Sequence, residues 1–137
     1  MVQPIMHDPL FLAQKSEPAS PEDRQTITDL LDTLRANLDR CVGMAANMIG
    51  VKKRIIVFCN GPFQMVMVNP QIIRQSGEYA TEEGCLSLLG APRRATRWQQ
   101  ITVRYQNSAF QQKTARFQGF TAQIIQHEID HCNGVLI

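Results

Sequence analysis

Residues 121–134 read TAQIIQHEIDHCNG, and within them His127-Glu128-Ile129-Asp130-His131 forms an HExxH string holding two of the chain's three histidines. The flanks favour a helix: Thr121 offers an N-cap, Ile124 and Ile125 supply apolar positions, and Asn133-Gly134 suits a left-handed terminus. Four residues at about 100° each return to within about 40° of the starting direction, so both imidazoles leave one face and could share a metal. Glu128, one step round, would reach a water held there. A metal lowers the pKa of such a water and a carboxylate relays its proton, which is the equipment of a hydrolase. The competing reading is an ordinary helix with two surface histidines.

Upstream of this segment the pattern is that of strands. Ile101, Val103 and Tyr105 alternate with polar residues, and Thr114 to Gln118 forms a second alternating run, which predicts an antiparallel pair. Ile55–Cys59 and Gln64–Asn69 are β-rich runs flanking Asn60-Gly61, a hairpin or meander whose loop Pro62 makes longer than a two-residue turn. Before them, Ser20-Pro21-Glu22-Asp23 reads as a helix start, and Ile27, Leu30, Leu31, Leu34 and Leu38 recur at helical spacing. This predicts an amphipathic helix of about 20 residues ending near Cys41 to Gly43. Residues 1–19, broken by Pro4, Pro9 and Pro18, form an irregular arm anchored through Leu10, Phe11 and Leu12. The fold class expected is α+β, with antiparallel sheets packed around a central HExxH helix and an N-terminal amphipathic helix.

The 137 residues suffice for a single domain, 1–137, and a composition of 44% apolar and 19% charged residues excludes a disordered chain. A net charge of +2 is too small to recruit nucleic acid or an anionic membrane, and Arg93, Arg94 and Arg97, the one basic cluster, read as a solvated loop. No apolar run is long enough to span a bilayer, and the first residues lack a signal-peptide pattern. Four cysteines without CxxC spacing predict reduced thiols in the cytoplasm.

Two histidines do not complete a catalytic metal site, and the third, His7, lies in the proline-rich arm. Among possible thiolates, Cys132 lies about 140° round the helix from His127. Cys41 and Cys59 read as a helix-end and a buried strand residue. Cys85 stands in Glu82-Glu83-Gly84-Cys85-Leu86-Ser87, where glycine permits close backbone approach and a carboxylate lies two positions upstream. The same segment also reads as a turn with solvated acids.

Three segments in order resemble the peptide deformylase family: Gly43-Met44-Ala45-Ala46 for its GxAA element, EGCLS at Glu83 to Ser87, and QHEIDHCNG at Gln126 to Gly134. The similarity extends to Asp8-Pro9-Leu10, Val68-Asn69-Pro70 and the strand Ile101 to Tyr105. The resemblance implies one divalent metal per chain on Cys85, His127 and His131, with Glu128 as general acid/base and a backbone N–H near Leu86 steadying the oxyanion. It implies substrate contacts at Val42, Gly43, Met48, Glu83 and Gly84. The family's usual metal is ferrous iron, replaceable by zinc, nickel or cobalt, and its substrate is the N-formyl-methionyl end of new polypeptides.

The chain departs from the family's GxGxAAxQ motif, with Cys41 at the first glycine and Met48 at the glutamine. That glutamine donates to the formyl oxygen in the family, whereas a thioether has no N–H to give. Leu89 stands where a proline usually follows. Ending at Ile137 after a terminal strand of Val135 to Ile137, the chain is expected to lack the C-terminal helix with which longer relatives dock on the ribosome. The alternatives to a deformylase are a hydrolase for another acyl group and a metalloprotein of little activity.

Overall fold

The computed structural model describes residues 1–88 and 90–137, so the expectation at Leu89 lies outside the described residues. Five strands form one antiparallel sheet in chain order: β1 (Gly43–Ala45), β2 (Ile55–Asn60), β3 (Phe63–Glu83), β4 (Arg93–Gln106) and β5 (Gln112–Gln118). Three helices accompany it: α1 (Pro9–Leu12), α2 (Arg24–Ala36) and α3 (Gly119–Cys132). The α+β class holds, with a single sheet in place of several.

The sheet is covered on both faces over β2, which explains that strand's unbroken apolar run. Ile56 and Phe58 point to α3, where Ala122, Ile125 and Ile129 pack with Met67, Ile101, Val103 and Tyr105. Ile55 and Val57 point the other way, to Ile27, Leu30 and Leu34 of α2. Burying each such side chain contributes on the order of 1.5–3 kcal/mol.

β3 runs 21 residues, far beyond the expected Gln64–Asn69, because it bends rather than ends at Pro70. Its register with β4 shifts between Val68 and Gln71 and between Ile72 and Arg74, and Asn69 takes a positive φ of 51° at the first shift. A proline has no ladder N–H to lose at such a bulge. Asn69 fixes the bend by accepting from Ala19 N (2.8 Å) and donating to Ala19 O and Gln106 Oε1 (3.0 Å each). Beyond it, β3 and β4 form a long hairpin arm alongside α3.

Several expectations need correction. The first long helix is 13 residues, preceded by a 3-10 turn at Pro21–Asp23 and closed where Asn37 Nδ2 donates to Thr33 O (2.7 Å), so Leu38 falls outside it and is exposed. α3 starts at Gly119, which puts Thr121 inside its first turn. The arm is anchored by buried Leu12 and not by Leu10, which stays exposed on the short α1. Arg93, Arg94 and Arg97 belong to β4, not a loop, and Val135 to Ile137 is not a strand. Among the described residues no helix is long and apolar enough to cross a membrane.

The arm and the end of α3 meet at Gly134, whose φ of +75° fits the expected left-handed terminus. A Cβ there would lie 2.4 Å from Ala13 O, so only glycine admits this approach. Ser16 N donates to Cys132 O (2.8 Å) beside it.

Candidate metal centre and active site

A cavity of about 700 Å³ opens between β1, residues 84–88 and α3, bordered by Cys41, Val42, Gly43, Met48, Cys85, Leu86, His127 and Glu128. His131 is buried behind His127. One ligand atom each from Cys85, His127 and His131 lies within 4.8 Å of the others, and Nε2 of His127 faces Nε2 of His131 at 3.1 Å. The Ile137 carbonyl oxygen approaches His131 Nε2 at 3.2 Å. One thiol and two imidazoles directed at one point suit a divalent transition metal, and the group fits. Cys132 is buried away from this cluster.

The His127 ring is oriented from behind. Its Nδ1 meets Glu83 Oε1 at 2.7 Å, which leaves Nε2 directed at Cys85 and His131. Glu83 is in turn gripped by Arg97, whose Nε lies 2.9 Å from Oε2 and Nη2 2.6 Å from Oε1, and Arg97 Nη1 reaches Asp130 Oδ2 at 2.7 Å. Sequence reasoning missed Arg97: the guanidinium is only 4% exposed, which its buried acidic partners permit. Glu83, expected among substrate contacts, borders the cavity, yet both its oxygens are already held by protein donors.

Charge follows from these partners. Burial alone would raise Glu83, but bonds to His127 and Arg97 outweigh it and bring the carboxyl down to about 2. Burial alone would lower His127, but contacts with Cys85 and Glu83 raise it. Burial and the His127 charge lower His131.

Glu128 differs. Its Oε1 is buried with no hydrogen-bond partner, and burial pushes its pKa up to about 7. The carboxyl sits against Gly43 of β1, where a Cβ would lie 2.7 Å from Ile124 Cγ2 and 3.0 Å from Glu128 Oε2. Glycine at this position is what allows β1 to lie against α3 at Glu128.

Met48 is buried, lines the cavity and accepts weakly at Sδ from Ala45 N (3.5 Å), so it is a core side chain that also faces the site. Among the described residues no acceptor takes up the Leu86 N–H. His7 was set aside in sequence, yet its Nδ1 lies 3.0 Å from Ser87 O and the arm runs along the cavity, with Met6 N donating to Met48 O (2.7 Å). The presence of Asp8-Pro9-Leu10 among the matching segments was the one sign that the arm belongs to the site. Cys41, read as a helix-end residue, lies on the cavity wall with its thiol donating to Gly43 O.

The polypeptide deformylase family model matches residues 2–137. The peptide deformylase of Clostridium beijerinckii is 55% identical over 137 residues, covering all of both chains. That of Halothermothrix orenii is 38% identical over 133 residues, 94% of this chain and 85% of the relative. The crystal structure of peptide deformylase from Thermotoga maritima superposes with a TM-score of 0.89 at 30% identity, covering 99% of this chain and 95% of that one. The peptide deformylase structure from Legionella pneumophila gives a TM-score of 0.88 at 36% identity, covering 99% and 83%. With a family match along nearly its whole length and a fold shared with solved members, this chain belongs to the polypeptide deformylase family.

Proposed function

We propose that this chain is a metal-dependent hydrolase that removes the formyl group from the N-terminal methionine of newly made polypeptides, with one divalent ion on Cys85, His127 and His131. The observation that carries the reading is the convergence of these three donors beside a buried carboxyl that has an oxygen without a partner. When bound, the ion would acidify a water and polarise the formyl oxygen. Glu128, its carboxyl near neutrality, would accept a proton from the attacking water and pass it to the departing amine. The Leu86 N–H is available to the oxyanion, and Val42, Gly43 and Gly84 border the channel in which the peptide backbone would lie. Ile124, Phe120 and Leu86 give the cavity an apolar wall suited to a methionine side chain.

The donor set suits ferrous iron or zinc, and we favour ferrous iron, with zinc, nickel or cobalt as substitutes. The reading places the enzyme in the cytoplasm, with the formyl-methionyl peptide as its partner and no strong affinity for nucleic acid, since Arg97 is committed to Glu83 and Asp130.

Anaerobically prepared, ferrous-loaded protein should release formate from a formyl-Met peptide and leave the acetyl-Met analogue intact, while Cys85→Ala should lose the metal. Metal binding without turnover of the formyl peptide would sink the activity. Met48 favours a second reading, a member of reduced rate or altered acyl choice, because its thioether lacks a donor. Faster turnover of another acyl peptide in the same assay would select it.

A further inference from the structure

On α3, Gln123, Gln126, His127 and Asp130 lie three, four and seven residues apart and so share the face turned to the β3–β4 arm. Each finds a partner there. Gln126 accepts from Trp98 N and donates to Trp98 O (2.8 Å each), and Asp130 accepts from Arg97. Gln123 Oε1 accepts from the Tyr79 hydroxyl (3.2 Å), and its Nε2 donates to Glu83 Oε2 (3.0 Å). Tyr79 and Glu83 stand four residues apart on β3 and therefore on one face, which is why a single amide can bridge to both.

Gln123 also lines the cavity, next to Ile124 and Phe120. With both polar ends of its amide engaged, its methylenes are what remain for an apolar ligand to touch. The other oxygen of the same Glu83 carboxylate holds His127 Nδ1, so the wall of the cavity and the His127 ring are two hydrogen bonds apart.

We infer that Gln123 is a positioning residue that ties the side-chain wall of the cavity to the His127 imidazole through Glu83. A methionine-sized side chain packed on Gln123 holds the amide against Tyr79 and Glu83, and so steadies the ring that faces Cys85 and His131. The use of this link rests on the metallohydrolase reading above; its existence is tested without a formyl substrate.

The test uses the full-length zinc-loaded protein, with Gln123→Leu, which removes the amide and keeps a side chain of similar size, and Tyr79→Phe, which removes one hydroxyl. Direct partners of metal-binding histidines typically change affinity about 10- to 100-fold. One step further out, Gln123→Leu should speed zinc loss to a chromogenic chelator by about threefold to tenfold. It should also shift the His127 Nδ1–H resonance, and Tyr79→Phe should move both readouts the same way by less. On peptides, the kcat advantage of formyl-Met over formyl-Ala should narrow with KM within about twofold. Unchanged zinc loss and an unmoved His127 signal in folded Gln123→Leu would overturn the inference. If that variant does not fold, Tyr79→Phe decides by the same two readouts. Absence of turnover on any formyl peptide would count against the proposed function and leave zinc loss and the His127 signal to decide on Gln123.

Discussion

The end of β3 and the middle of α3 each bury one glutamate beside His127, and the two carboxyls are driven in opposite directions. Glu83 meets Arg97, Gln123 and His127 and is held down to about 2, while Glu128 has an oxygen without a partner and is pushed up to about 7 by burial. Both are nearly inaccessible to solvent, at 8% and 4% exposed, and they differ in the donors that meet them. A carboxylate saturated with donors is suited to orienting a neighbour; one left without them is suited to exchanging a proton.

Removing Glu128, the proposed proton-exchanging group, should have the largest effect. Glu128→Gln should retain the metal while kcat falls by about 10²- to 10⁴-fold. Wild-type turnover in that variant would end the contrast between the two glutamates.

Glu83→Gln attacks the other side. Metal affinity should weaken by about 10- to 100-fold, because an amide supports His127 Nδ1 and Arg97 less strongly than a carboxylate. The sign of the pH effect follows from the lowered pKa: the native carboxylate contributes stability above its ordinary value of 4.5, and that contribution disappears as pH falls through about 2. Acid titration of the metal-free protein by circular dichroism should therefore show a flatter limb between these values in the glutamine variant. Identical limbs would mean that Glu83 is not held as described.

A smaller change, of opposite sign, should come from supplying a donor to the site where Glu128 works. Met48→Gln should raise kcat on a formyl-Met peptide by at least about tenfold, with less effect on KM, since the new bond strengthens as the oxyanion forms. An unchanged rate would show that another group already serves.

The smallest effect isolates burial from catalysis. Desolvation, reinforced by the Glu128 charge, pushes the Cys41 thiol up to about 12, so it stays protonated at neutral pH. Iodoacetamide at pH 8 should leave Cys41 unmodified in the metal-loaded protein, by mass mapping after digestion. Rapid labelling would refute burial as the dominant influence on that wall.

The HExxH helix was legible because helical spacing is local: His127, Glu128 and His131 are placed by one turn of chain. The β2–β3 hairpin and the β4–β5 pair were legible for the same reason, since alternation shows within a few residues, although Asn60 pairs with Phe63 across a two-residue turn, Gly61-Pro62, in place of the longer loop expected from Pro62. What sequence missed depends on pairings between distant segments. Arg97 read as a solvated charge until β4 paired with β3 and turned it onto Glu83 and Asp130. Glu83, two residues before a candidate thiolate, and Asp130, inside the HExxH string, are two acids whose cation, Arg97, lies on a distant strand. β3 was cut short because Pro70 reads as a stop, and only the bulge at Asn69 explains its passage. The helix after Ser20 was drawn too long because Leu38 kept the apolar rhythm after Asn37 had closed the helix.

The bond between Glu83 and His127 also has an entropic consequence. Its ends lie 44 positions apart in the chain, so the folded chain closes that loop with its own side chains. Cys85 follows Glu83 by two residues and is thereby delivered to the two imidazoles on a short tether instead of by closure of the whole loop. By the logarithmic rule for flexible chains the difference is on the order of 2–3 kcal/mol, which metal binding does not have to supply.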